Sequence, residues 1–177
     1  MTEPSSNPFE DALIADMRAH DGNVTTGPLV GNPLLVMSSI GARSGEPRRA
    51  ILTYSRGGGD YIVAGTKDGA PTDPHWVHNL RANPDVTIEV GGQTLPATAT
   101  IVDEADRQRL WDAHVAALPW FGGYPEKAGR VIPVIRLTPG IRLNDCRLAS
   151  ANNSGMSAPR ARRRTGTRYA RSTVISG

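Results

Sequence analysis

The chain has a single cysteine, Cys146, in 177 residues. One thiol cannot form an internal disulfide, so a disulfide-stapled scaffold is excluded, and its place near the end of the plausible core argues against a reactive-thiol role. Long apolar runs are missing too. None reaches eighteen residues, and the polar start over residues 1–8 lacks the charged-then-apolar pattern of a signal peptide. A soluble, cytoplasmic protein is therefore expected, with peripheral contact at the inner membrane face as its only membrane role. No Gly-x-Ser-x-Gly elbow occurs, and hydrolysis through a covalent nucleophile is not indicated. Gly57, Gly58 and Gly59 are followed by Asp60 rather than by Lys-Ser or Lys-Thr, so they read as a hairpin turn and not as a phosphate loop. Zinc finds too few ligands. His75 and His78 are three apart on one expected helix with only Asp73 nearby, and His20 and His114 are isolated on other helices.

The net charge of +3 is unevenly spread. Residues 144–177 hold seven arginines against Asp145, a net of +6, which leaves the body at −3. An arginine-rich tail can bind RNA or anionic lipid through counterion release. Beyond Tyr169 it has no interleaved aromatics for base stacking, so a solvated, disordered extension is the simpler expectation and nucleic acid is a partner only through this tail. At this length one domain is expected, over residues 9–143, preceded by a flexible end at residues 1–8.

Residues 9–20 place Phe9, Leu13, Ile14 and Met17 at helical spacing, which predicts an amphipathic helix packed on the body. Runs rich in β-formers follow at residues 34–40, 50–54, 61–64, 86–90, 94–102 and 131–137. Gly91-Gly92 marks a second hairpin turn. Asp73-Pro74 reads as a helix start with an acid N-cap, Asn83-Pro84 as its stop, and a further helix starts near Asp103 and runs to Pro119. About six strands joined mostly by hairpins, with peripheral helices, predict a mainly β (α+β) fold built on a small antiparallel barrel rather than a doubly wound sheet.

The most informative stretch is Gly41-Ala42-Arg43-Ser44-Gly45-Glu46-Pro47-Arg48-Arg49, between two of the strand-like runs. Glycine and proline make it a tight connection, and its arginines and serine give it the chemistry of an anion cradle. Ala64-Gly65-Thr66-Lys67-Asp68-Gly69 repeats the theme with a hydroxyl and an ammonium between glycines. A basic, glycine-lined site with no nucleophile and no paired acid and base fits a protein whose bound cofactor supplies the reactivity. Hydride transfer would then ask for positioning, exclusion of water and a proton source, for which Tyr54, Tyr124 and Thr66 are the candidate hydroxyls.

These two strings, together with His75-Trp76-Val77-His78-Asn79-Leu80-Arg81-Ala82-Asn83-Pro84 and Ile132-Pro133-Val134, resemble the deazaflavin-dependent nitroreductase family of actinobacteria, in order and spacing from about residue 14 to residue 143. The resemblance implies a split β-barrel and coenzyme F420, an 8-hydroxy-5-deazaflavin with an anionic phosphate and oligoglutamate arm. It implies Arg43 and Arg48 as cations for that arm with Ser44 and Gly45 in the turn beside them. Gly65, Thr66 and Lys67 would line the ring, with Ile51, Leu52, Trp76 and Asn79 close by. On the acceptor side it points to Tyr54, Leu118, Phe121 and Tyr124. The segment Leu118-Pro119-Trp120-Phe121-Gly122-Gly123-Tyr124 is poorer in tyrosine than nitroimidazole-reducing relatives, which favours a flat conjugated acceptor, a quinone or unsaturated lactone, over a nitro compound. The alternatives are a flavin mononucleotide (FMN) oxidoreductase on a similar barrel and a non-catalytic coenzyme carrier or nucleic-acid-associated protein. A homodimer is compatible with each.

Overall fold

The computed structural model describes residues 7–140, so the arginine-rich tail and Cys146 lie outside the described residues. Seven strands form one antiparallel sheet: β1 (Leu34–Ile40), β2 (Pro47–Thr53), β3 (Ser55–Gly57), β4 (Asp60–Ala64), β5 (Asp85–Val90), β6 (Gln93–Ile101) and β7 (Val134–Pro139). Their spatial order is β2-β1-β5-β6-β7-β4-β3. Four helices accompany them: α1 (Pro8–Ala19), α2 (His75–Ala82), α3 (Glu104–Ala117) and the short α4 (Tyr124–Ala128).

The strands at the two ends of this order, β2 and β3, are separated in the chain by Tyr54 alone. Thr53 and Ser55 can be no more than about 7 Å apart, so the sheet has to curl until its edges meet. That makes it a split barrel. Side-chain alternation along the strands then sorts the core into an inside and an outside. Leu35 and Met37 of β1, Tyr61 and Val63 of β4, and Ile135 and Leu137 of β7 fill the barrel together with Val77 and Leu80 of α2. The intervening residues face outward under the helices. Leu34 and Val36 pack against Ile14 and Met17 of α1, while Ile62, Ala64 and Val134 pack against Leu110 and Trp111 of α3. With both faces covered, the first four residues of β1, Leu34 to Met37, read as an unbroken apolar run rather than an alternating one.

The turns follow their glycines. Gly91 and Gly92, at φ 54° and 70°, form the two-residue turn between the paired Val90 and Gln93, and Gly58 at φ 67° turns β3 into β4. The six expected strands are present with ends shifted by up to three residues. β3 adds a seventh, hidden because its sequence Ser-Arg-Gly has no apolar pattern; Arg56 lies 4.0 Å above the Tyr61 ring instead. Asn7 and Pro8, expected in a flexible end, are the N-cap and first residue of α1. Phe9 is 64% exposed, because five residues place it about 140° round the helix from Ile14.

Asp103 caps α3, accepting from the Asp106 amide at 3.1 Å. Asp73 does not cap α2. Pro74 stands at that position, and the Asp73 carboxylate is taken by Arg81 and Arg130 at 2.8 and 2.7 Å. His114 of α3 is fully buried and joined to Ser55 of β3 at 2.7 Å through Nδ1, while its Nε2 has no hydrogen-bond partner among the described residues. Burial pushes its imidazolium pKa down from 6.5 to about 4. The unfolded chain therefore takes up this proton below pH 6.5 and the native state only near pH 4, so stability falls as pH drops through that window. His114 alone accounts for a loss of about 3 kcal/mol between pH 7 and pH 4. Urea unfolding at the two pH values should give a smaller drop for His114→Gln than for the unaltered chain.

Candidate functional site

A cleft of about 940 Å3 opens where the end of β1, the edge strand β2 and α2 meet. The bend over residues 41–46 forms one wall. Its amide at Gly41 donates to the Glu46 carbonyl at 2.8 Å, that at Gly45 donates to the Gly41 carbonyl at 2.9 Å, and Gly45 takes φ 68°. The Ser44 hydroxyl folds back into this turn, where a Cβ on residue 41 would sit 2.5 Å from its oxygen. Asn79 of α2 fixes the bend from outside, its Oδ1 accepting from the Ala42 amide at 2.9 Å.

Three expected cations reach this cleft: Arg43, Arg48 and Lys67. Arg43 has no ion-pair partner among the described residues. Arg48 is paired with Glu46 at 3.0 Å, but both are well exposed and such a contact is worth little, so an incoming anion can replace the carboxylate. Ile51 and Leu52 of β2 and Trp76 and Asn79 of α2 complete the expected residues that line it, with Ser44. Leu52, Trp76 and Ala50 also pack against the barrel core, which gives the cleft an apolar side opposite its basic rim.

Lys67 belongs to a left-handed turn. Lys67, Asp68 and Gly69 have φ of 46°, 54° and 81°, a conformation costing roughly 1–2 kcal/mol for each residue with a Cβ. Only glycine fits at residue 69, where a Cβ would lie 2.5 Å from the Lys127 side chain. Arg130 holds the segment. It donates to the carbonyls of Gly65 (2.8 Å), Ala70 (3.1 Å) and Thr72 (3.1 Å) and to Asp73 Oδ1 (2.7 Å). The Lys67 ammonium donates to the Thr72 hydroxyl at 3.0 Å.

The remaining expected residues lie elsewhere. Gly65 and Gly45 shape the two loops, and Thr66 is 9% exposed and does not line the cleft. Tyr54 stacks edge-on to Tyr61 at 5.2 Å beside the barrel core. The structure does not bring Leu118, Phe121 or Tyr124 to the cleft. Residues 118–124 wind into a tight turn against α3, where Phe121 meets the buried His114 ring edge-on at 4.6 Å and Tyr124 meets Phe121 at 5.4 Å. Arg49, the third arginine of the expected anion cradle, lines the cleft too, and Glu10, His75 and His78 join it without having been expected there. The two histidines drew notice in the sequence only as metal ligands. Among the described residues, no group of three or more His, Cys, Asp and Glu side chains is placed to hold a metal ion.

Residues 13–139 match the model of the F420H(2)-dependent quinone reductase family. The chain belongs to that family. It is 38% identical over 109 residues, 60% of this chain and 73% of the relative, to an F420H(2)-dependent quinone reductase of Mycobacterium tuberculosis strain H37Rv. Among solved structures it is similar to an F420-H2 dependent reductase, FDR-A, at 33% identity and a TM-score of 0.55, covering 59% of this chain and 93% of that one. A chain described as a domain-swapped dimer is 30% identical with a TM-score of 0.56, covering 74% of this chain and 99% of the other.

As a member of this family, the chain takes reduced F420 as its coenzyme, and the quinone of the family's description is one of the two acceptor classes that the sequence favours. The donor set of the cleft fits that coenzyme. Guanidinium and ammonium groups suit an anionic arm, and an apolar side formed by Leu52 and Trp76 suits a flat ring. A volume of about 940 Å3 is ample for a molecule of this size. Close packing behind the Lys67 turn is part of the design. A Cβ on Gly65 would lie 2.8 Å from Pro133 and 2.9 Å from Val77, so Gly65→Ala should destabilise the fold by about 1–3 kcal/mol in a thermal or urea unfolding measurement.

Proposed function

We propose that this chain reduces a quinone with reduced F420, holding the coenzyme's anionic arm on Arg43, Arg48 and Lys67 and its ring system beside Leu52 and Trp76. One observation carries the assignment of residues: cations from two loops some twenty residues apart in sequence line a single cleft. The coenzyme, when bound, supplies a hydride. The protein's own share is to orient the two reactants, keep water from the apolar side and provide the proton that completes the quinol.

Arg43 offers a guanidinium uncommitted among the described residues, and Arg48 exchanges Glu46 for the coenzyme's charge. Ser44, whose hydroxyl already bonds the Glu46 amide at 3.3 Å, keeps the bend rigid, and Asn79 locks it to α2. Ile51 continues the β2 wall. For the proton, groups that face the cleft are better placed than Tyr124 and Thr66, which do not line it. His75 and His78 do.

We place the enzyme in the cytoplasm and propose a homodimer as its assembly, as the domain-swapped dimer of the similar structure suggests; no helix among the described residues is long and apolar enough to cross a membrane. FMN is the competing ring system. Purified protein showing flavin absorbance, and no quenching of F420 fluorescence on titration, would transfer the assignment to it.

Charge reversal tests the cradle. Each charge-assisted contact is worth about 1.5–3 kcal/mol, so Arg43→Glu with Arg48→Glu should weaken F420 binding by at least about a hundredfold in a fluorescence titration. Added salt should weaken the unaltered protein's binding and spare the remainder in the variant. Undiminished affinity in that double variant would remove the basis of the assignment.

A further inference from the structure

We propose that Arg130 is a positioning residue for coenzyme binding, acting through the Lys67 turn; the inference rests on the functional reading above. Arg130 does not line the cleft, and its side chain is only 15% exposed. Its five N–H groups are all committed. Nε donates to the Ala70 carbonyl at 3.1 Å, one terminal nitrogen to Asp73 Oδ1 at 2.7 Å and the Val131 carbonyl at 3.4 Å, and the other to the carbonyls of Gly65 at 2.8 Å and Thr72 at 3.1 Å. Four of these acceptors belong to the stretch 65–73, which contains the left-handed turn of Lys67 and Asp68.

Among the described residues the other ties of that stretch are local, including the Lys67 ammonium on the Thr72 hydroxyl and the Thr66 amide on the Ala64 carbonyl, each at 3.0 Å. Its internal backbone bonds are those from the Gly69 amide to the Thr66 carbonyl and from the Ala70 amide to the Lys67 carbonyl, each closing a single tight turn. The Gly65 amide donates to the Pro133 carbonyl and fixes the entry. A conformation unfavourable to residues with a Cβ persists only where its surroundings over-determine it, and the planar fork of one guanidinium supplies that determination at four acceptors at once. Through Asp73, shared with Arg81 of α2, the same group also ties the turn to the helix that presents Trp76 and Asn79. Arg130 thus sets where the Lys67 ammonium stands relative to the 41–46 bend.

Arginine at this position is replaceable by lysine in charge but not in geometry, since an ammonium has three donors and no fork. Arg130→Lys should therefore raise the Kd of F420, read by fluorescence titration, about tenfold, while kcat at saturating coenzyme and a standard quinone stays within about twofold. The same substitution in a Lys67→Ala background should change Kd by less than about twofold, because the ammonium it positions is gone. In the coenzyme-free protein, amide hydrogen exchange at residues 66–70 should quicken in Arg130→Lys with β1 and β7 unaltered. If Arg130→Lys does not fold, Asp73→Ala, which removes one of the five contacts together with the Arg81 ion pair, should give a smaller loss, about threefold, with the same exchange signature.

Unchanged exchange at 66–70, an unchanged Kd, or a full tenfold loss repeated without Lys67 would overturn the proposal. Failure of the functional reading is separately visible. It appears as an unaltered protein that binds no F420, whereas the exchange readout needs no coenzyme.

Discussion

A single residue, Tyr54, joins strands that stand at opposite edges of the sheet, and this covalent constraint shapes everything built on it. Because β2 and β3 cannot separate, the seven strands must curl, and curling divides each strand into a face that fills the barrel and a face that receives a helix. The cleft is a product of the same closure. It forms at β2, the edge strand, where the chain has turned back from β1 through the 41–46 bend and where α2 has come to pack across the barrel. The Tyr54 ring meets Tyr61 edge-on at the point of closure, and its amide donates to the Pro33 carbonyl at 3.0 Å, anchoring both ends of the β1–β2 hairpin.

The basic rim is unevenly committed. Arg49 is held by Asp11 of α1 at 2.7 Å with its side chain mostly buried, Arg48 has an exposed and weak partner, and Arg43 has none among the described residues. Partly buried pairs keep their geometry while exposed ones exchange, so the rim combines a structural cation with two that are available to a ligand. Opposite them, Lys67 is held in a strained turn rather than on a flexible arm, and most of that strain is answered from outside the cleft by Arg130.

The sequence disclosed what depends on short spacing. The Gly41 to Arg49 string and the Gly65 to Gly69 string gave both loops of the cleft, because glycine, arginine and lysine mark backbone turns and anion chemistry locally. The paired apolar runs gave six strands, and Asp103 with Asp106 gave the start of α3. What stayed hidden depends on partners far apart in the chain. β3 is three residues long with no apolar alternation, and it exists because β4 offers it a pairing edge. Asp73 has the composition of a cap, but two guanidinium groups from residues 81 and 130 outbid the helix amides for its oxygens. Leu118, Phe121 and Tyr124 read as the wall of an acceptor site, while a buried imidazole and an aromatic cluster under α3 draw them away from it. Arg130 was unremarked because no local pattern tells a lone arginine that its acceptors lie sixty residues upstream.

Arg48 and Arg49 are neighbours on β2, yet the pleat sends their guanidinium groups to different company, one to Glu46 beside the bend and the other to Asp11 on the first helix. Strand periodicity is two, so a residue gained or lost between positions 41 and 46 that shifted the register of β2 would turn each guanidinium to the opposite face and break both pairings. The length of that bend is consequently constrained twice: the same count of residues that forms the anion cradle also helps to decide whether the N-terminal helix stays moored to the barrel.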